Sequence, residues 1–87
     1  MAYTGMDIVD VRQTGNELKQ ISGEIQGLMQ RLDGRVNGTA WEGPDAQRFK
    51  NDWWPKHRTT LNNIVQELEG LGQSALNNAQ EQETASS

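Results

Sequence analysis

Cysteine is absent from the 87-residue chain, and histidine occurs once, at His57. Neither a disulfide framework nor a thiolate metal site can form, and a lone histidine makes a zinc cluster a poor expectation. No apolar run approaches the roughly 20 residues that cross a bilayer, so no stable membrane insertion is expected. The first residues, Met1-Ala2-Tyr3-Thr4-Gly5-Met6-Asp7, lack the basic and apolar regions of a cleavable signal peptide. Basic charge is scarce as well, with eight Lys and Arg against twelve Asp and Glu and a net charge of −4. Affinity for phosphate backbones comes largely from clustered cations, so nucleic acid and anionic membrane surfaces are disfavoured. Apolar residues make up 33% of the chain, too few for a thick core. A chain this small usually needs disulfides, a metal or association for firm stability; association is what remains.

What is present is helical periodicity. From about residue 7 to 37 no proline occurs, and Val11, Leu18, Ile21, Ile25, Leu28, Met29, Leu32 and Val36 recur at steps of three, four and seven. At about 100° per residue they share a stripe roughly 100° wide. Positions 18, 21, 25, 28 and 32 run as a and d sites of a heptad pattern. Gly15, Gly23, Gly27 and Gly34 lie within this helix. Each costs up to about 1 kcal/mol relative to Ala, so the helix must draw on packing. Such residues either let another helix approach closely or are tolerated surface positions.

Residues 38–43 break the pattern. Asn37-Gly38 is a turn signal, and Gly43-Pro44-Asp45 reads as a helix start. A second helix is predicted over about 44–79, with Ala46, Trp53, Trp54, Leu61, Ile64, Val65, Leu68, Leu71, Ala75, Leu76 and Ala79 on a stripe roughly 140° wide. Such a width serves two neighbours. Pro55 removes a hydrogen bond and crowds the carbonyl of Asn51, which predicts a kink or break near residues 52–55. Residues 80–87 are polar and read as a disordered tail.

Two helices of similar length with a short connection form an antiparallel hairpin, so the fold class is all-α. Pairing outward from the turn sets Leu32 near Phe49 and Lys50, Leu28 against Trp54, Ile21 against Leu61 and Leu18 against Ile64. The expected hairpin seam is therefore Leu18, Ile21, Ile25, Leu28 and Leu32 with Leu61, Ile64, Leu68 and Leu71. Trp53, Trp54, Val65 and Leu76 are left as the candidate dimer face.

Catalysis finds no support in the residues. A nucleophile needs a nearby base, and His57, between Lys56 and Arg58, falls on the apolar stripe as a packing or interface residue. Glu67 and Glu69 point apart on a helix. No catalytic residue, metal or cofactor is expected. Lys50, Lys56 and Arg58 around Trp53 and Trp54 form the densest basic cluster and carry a third reading, a hairpin that binds single-stranded nucleic acid. The net acidity favours tryptophans packing on a protein partner instead.

Trp41-Glu42-Gly43 near the midpoint of an 87-residue chain, with a helix on each side and no cysteine, resembles the WXG-motif family. These are small bacterial substrates of type VII secretion, of the early secreted antigenic target kind. The resemblance covers nearly the whole chain. It implies that Trp41 and Gly43 form the turn motif and that the hairpin pairs with itself or a sister protein as a four-helix bundle. It further implies export as a folded dimer from an actinobacterium or a Firmicute, with recognition by a secretion ATPase. The expected location is secreted or cell-surface after export and cytoplasmic before it. One departure stands out: the only tyrosine is Tyr3, and the tail lacks the family's tyrosine-based export signal. A partner would then carry that signal. A cytoplasmic helical adaptor or regulator that is never exported is the alternative.

Overall fold

A computed structural model describes residues 6–86. Helix α1 spans Ile8–Gly38, a short α2 spans Pro44–Arg48, a π-helical turn follows at Phe49–Trp53, and α3 runs from Trp54–Ser86. The hairpin is all-α among the described residues, a rod of 67 × 16 × 15 Å.

Each boundary has a local cause. Asp7 caps α1 by accepting a hydrogen bond from the Asp10 amide at 3.1 Å. At the other end the Thr39 hydroxyl donates to the Arg35 carbonyl, and the backbone turns extended. Pro44 opens α2 at the position where its missing N–H costs nothing. Gly43 precedes it at φ 110°, ψ 175°, a region essentially closed to side-chain-bearing residues.

Pro55 produces a widened turn in place of a simple kink. Without an N–H, Pro55 cannot bond back to Asn51. The chain takes up a π-helical register just before it, and the Trp54 amide donates to the Phe49 carbonyl five residues back. Helix continues on both sides.

Two expectations need correction. Residues 80–86, read from sequence as a disordered tail, continue α3. Ala79 is fully buried, Arg12 pairs with Glu83 across the hairpin, and side chains bond at i,i+4 from Gln80 to Thr84 and from Gln82 to Ser86. These contacts hold a polar segment that composition alone assigns to solvent. Ser87 and the lead-in residues 1–5 lie outside the described residues. The register also differs. Trp54 bonds Asp33 rather than lying opposite Leu28, and Gly15 meets Gly72. The second arm is displaced by about five residues, because the extended segment 39–43 carries the chain past the end of α1. At 1.5 Å per residue, α2 begins about 7 Å beyond it.

The seam between α1 and α3 is built from small and mixed residues. On α1, Ile8, Gly15, Ser22, Met29 and Val36 recur every seven residues; on α3, Arg58, Val65, Gly72 and Ala79 do the same. Gly15, Ser22, Met29, Val65, Gly72 and Ala79 are buried. The closest approach is at the glycines. A Cβ on Gly72 would lie 2.7 Å from the Gly15 carbonyl oxygen, and one on Gly15 would lie 2.9 Å from that of Gly72. Ser22 satisfies its buried hydroxyl by donating to the Lys19 carbonyl at 2.8 Å.

Candidate partner-binding site

The narrow seam displaces the large aliphatic residues. Met29 is 3% exposed while its neighbour Leu28 is 51% exposed, and Val65 is 5% exposed beside Ile64 at 40%. Ile21, Leu32 and Leu71 are exposed too. Five residues expected from sequence to close the hairpin (Ile21, Leu28, Leu32, Ile64 and Leu71) therefore line its outside. Leu18, Ile25, Leu61 and Leu68 are half-buried and bridge the seam and this outer stripe. Three of the four residues expected on a dimer face move the other way. Trp54 and Val65 are buried, and Leu76 packs against Gly15. Only Trp53 is exposed. Heptad spacing marks the stripe but not which edge of it meets the other helix.

The two outer stripes lie on one side. At about 100° per residue, Ile21, Leu28 and Leu32 stand roughly 90° round α1 from its seam, and Ile64 and Leu71 stand roughly 90° round α3 in the same sense. In antiparallel helices an offset of the same sense brings both stripes to the same broad face. The opposite face is polar. Lys19 donates to Gln73 at 2.7 Å there, and Arg12 pairs with Glu83.

Toward the turn the apolar face runs into an aromatic ladder. Trp41 meets Phe49 at 5.4 Å between ring centroids, Phe49 stacks on Trp53 at 5.0 Å, and Trp53 meets His57 at 4.2 Å. Phe49, Trp53 and His57 are spaced four apart along the π-turn and the start of α3, which aligns the rings. His57 then continues at seven-residue steps to Ile64 and Leu71. Shallow hollows flank Trp41, one of about 280 Å³ bounded by Trp41, Asp45, Arg48, Phe49 and Trp53. A larger one of about 520 Å³ lies along Leu28, Arg31, Leu32 and Arg35.

Behind the ladder, the arms are pinned by a cluster not foreseen from sequence. The Asp33 carboxylate accepts the Trp54 indole N–H at 2.9 Å and the Arg58 Nε–H at 2.7 and 2.8 Å to its two oxygens. The Arg58 hydrogen bonds hold the Asp33 pKa below its usual value, with Trp54 assisting against partial burial. Trp53 and Trp54 thus part company: one lies in the outer ladder, the other in the seam. Lys50 bonds the Thr39 carbonyl at 3.0 Å and closes the turn.

Among the described residues no group of three His, Cys, Asp or Glu side chains is placed to hold a metal ion. No described helix is long and apolar enough to cross a membrane. What the arrangement presents is an exposed apolar and aromatic face.

Comparison with known proteins gives one family. The family model described as proteins of 100 residues with WXG, the WXG100 family, matches residues 5–85. No curated protein and no solved structure matches the chain.

Proposed function

Because the chain belongs to the WXG100 family of small helical proteins associated with type VII secretion, we propose that it acts as a secretion substrate or export partner by binding a family chain through its outer apolar face. The observation that carries this reading is the exposure of Leu28, Leu32, Ile64 and Leu71, each between 40% and 58%, on one side of the rod. Monomeric soluble proteins rarely leave so continuous an apolar surface uncovered. Covering the exposed half of each side chain contributes about 1 kcal/mol apiece toward pairing of hairpins as a four-helix bundle.

Trp41 and Gly43 have distinct parts in this reading. Gly43 supplies the backbone turn, and Trp41 starts the aromatic ladder that extends the apolar face to the end of the rod. Family membership supports export of the paired chains and their recognition by a secretion ATPase.

The test is sedimentation of the purified chain, alone and with a co-expressed sister chain, beside Ile64→Glu and Leu71→Glu variants. Wild type should associate, and the variants should stay folded and dissociate. Detection in culture medium, dependent on the secretion ATPase, would support export. Retention in the cell with its partner would favour the adaptor reading instead.

A further inference from the structure

We infer that the π-turn at Phe49–Trp53 is a phasing device and Pro55 its positioning residue: the extra residue held there turns Phe49, in place of Lys50, onto the partner-facing stripe and carries Trp41 with it. This inference rests on the reading of the outer apolar face as a partner site and adds what brings the turn motif into that site.

Spacing along the second arm carries the argument. At about 100° per residue, a seven-residue step returns to within about 20° of its starting direction, whereas an eight-residue step overshoots by about 80°. Beyond Pro55 the steps are of seven. Arg58, Val65, Gly72 and Ala79 follow the seam, and His57, Ile64 and Leu71 follow the outer face. Across the π-turn the steps become eight. Ala46, fully buried, stands eight residues before the buried Trp54. Phe49 stands eight before His57 and is joined to it through Trp53, at 5.0 and 4.2 Å between ring centroids. A π-turn uses one residue more than an α-turn, so eight residues across it face as seven do elsewhere. Two positions on different faces thus show the same one-residue displacement.

An unbroken α-helix would present other residues. Seven before Trp54 is Gln47, and seven before His57 is Lys50. A polar side chain would then enter the position that Ala46 fills, and an ammonium group would take the place of the Phe49 ring. Trp41 meets the ladder through Phe49 at 5.4 Å, so its ring would lose that link. In the observed phase Lys50 closes the turn on the Thr39 carbonyl instead. Pro55 fixes the choice. It has no N–H to give the Asn51 carbonyl, and the Trp54 amide bonds Phe49 five residues back.

Removing the extra residue and the proline together tests the inference. Asn51 is exposed, and its side chain bonds only Gln47 on the same arm. Deleting Asn51 alone leaves Pro55 demanding a wide turn in a segment one residue too short, which rotates residues 44–50 by about 100°. Deleting Asn51 together with Pro55→Ala allows an unbroken α-helix in which Ala46 and Phe49 regain their faces. Ala46→Cys, in a chain with no cysteine of its own, reports the phase through thiol labelling in dilute protein. Sedimentation, alone and with a co-expressed sister chain, reports binding. The cysteine should label slowly in the parent chain and in the deletion carrying Pro55→Ala, and fast in the deletion alone. Association should weaken at least about tenfold in the deletion alone, as for displaced aromatic anchors, and return when Pro55→Ala is added. Recovery on a further change shows that the deletion has not simply unfolded the chain. Slow labelling in the deletion alone, or fast labelling in both altered chains, would overturn the phasing. The expected labelling with equal association of all three chains, while Ile64→Glu still disrupts it, would overturn the ladder's part in binding. Association that is absent, or indifferent to Ile64→Glu, would instead overturn the outer face as the partner site, with labelling still deciding the phase.

Discussion

Replacing Gly72 by alanine should cancel or reverse the stabilisation expected of alanine, the better helix former by about 1 kcal/mol. The new methyl group would lie 2.7 Å from the Gly15 carbonyl oxygen and 2.7 Å from Lys19 Cγ. Lys19 is flexible and can move aside. The Gly15 carbonyl belongs to the backbone of the opposite helix, so relief requires the arms to separate along the seam. Overpacking of this kind costs about 1–3 kcal/mol, which cancels or exceeds the gain in propensity. Gly70, two residues earlier on the same helix, has nothing within 4 Å of its would-be Cβ, so Gly70→Ala should collect the propensity gain undiminished. The two variants should therefore differ by about 1–3 kcal/mol. At about 4–8 °C per kcal/mol for a domain of this size, G72A should melt at least about 4 °C below G70A. Thermal unfolding followed by circular dichroism at matched protein concentration measures the difference. Equal stabilisation by both substitutions would refute a seam set by glycine-to-glycine contact.

Other outcomes follow from the turn and the pinning cluster. Gly43→Ala should cost about 1–3 kcal/mol from backbone strain alone, since open space surrounds the position. Gly38→Ala, also in open space and without a positive φ, should be close to neutral, and urea denaturation of the pair separates the two. Asp33→Asn keeps an acceptor for the Trp54 indole but loses the charge that holds Arg58. The Arg58 hydrogen bonds hold the folded pKa of Asp33 below its unfolded value, so its contribution is complete above the unfolded value and disappears as pH falls through the folded one. The stability gap between wild type and D33N should therefore be full at pH 7 and close in strong acid. An unchanged gap down to the lowest pH would show that the carboxylate charge is not what pins the arms.

Leu28 and Met29 show how much could be read from the sequence and where the reading stopped. Both belong to the stripe that identifies α1, and the stripe, the turn at Gly43-Pro44 and the antiparallel hairpin were all legible from spacing and turn chemistry. Which edge of the stripe faces α3 depends on something else: how closely the backbones approach. Gly15, Ser22, Gly72 and Ala79 allow a close approach, and the narrow seam accepts Met29 and Val65 while leaving Leu28 and Ile64 outside. Seven-residue spacing of small residues at 15 and 22, and of Val65, Gly72 and Ala79, was the available signal. A search that follows only large apolar residues passes over it. The five-residue register error has a similar origin, because the length of the turn was apparent but its extended path past the end of α1 was not. Pro55 announced a disturbance without specifying its form. The π-turn absorbs that disturbance, and Trp53 then lies in the outer ladder while Trp54 lies in the seam. The Asp33 cluster joins residues more than twenty positions apart, and no local pattern marks such a contact.

Single cysteines placed at Leu28 and at Met29, in a chain that has none of its own, give the most direct test of which stripe closes the hairpin. Reaction with a thiol reagent should be fast for L28C in dilute protein and slow at concentrations where the chain is associated, while M29C should be slow at both. Rapid labelling of M29C with L28C protected at every concentration would contradict the account, because the large aliphatic residues would then close the hairpin and leave no apolar face for a partner.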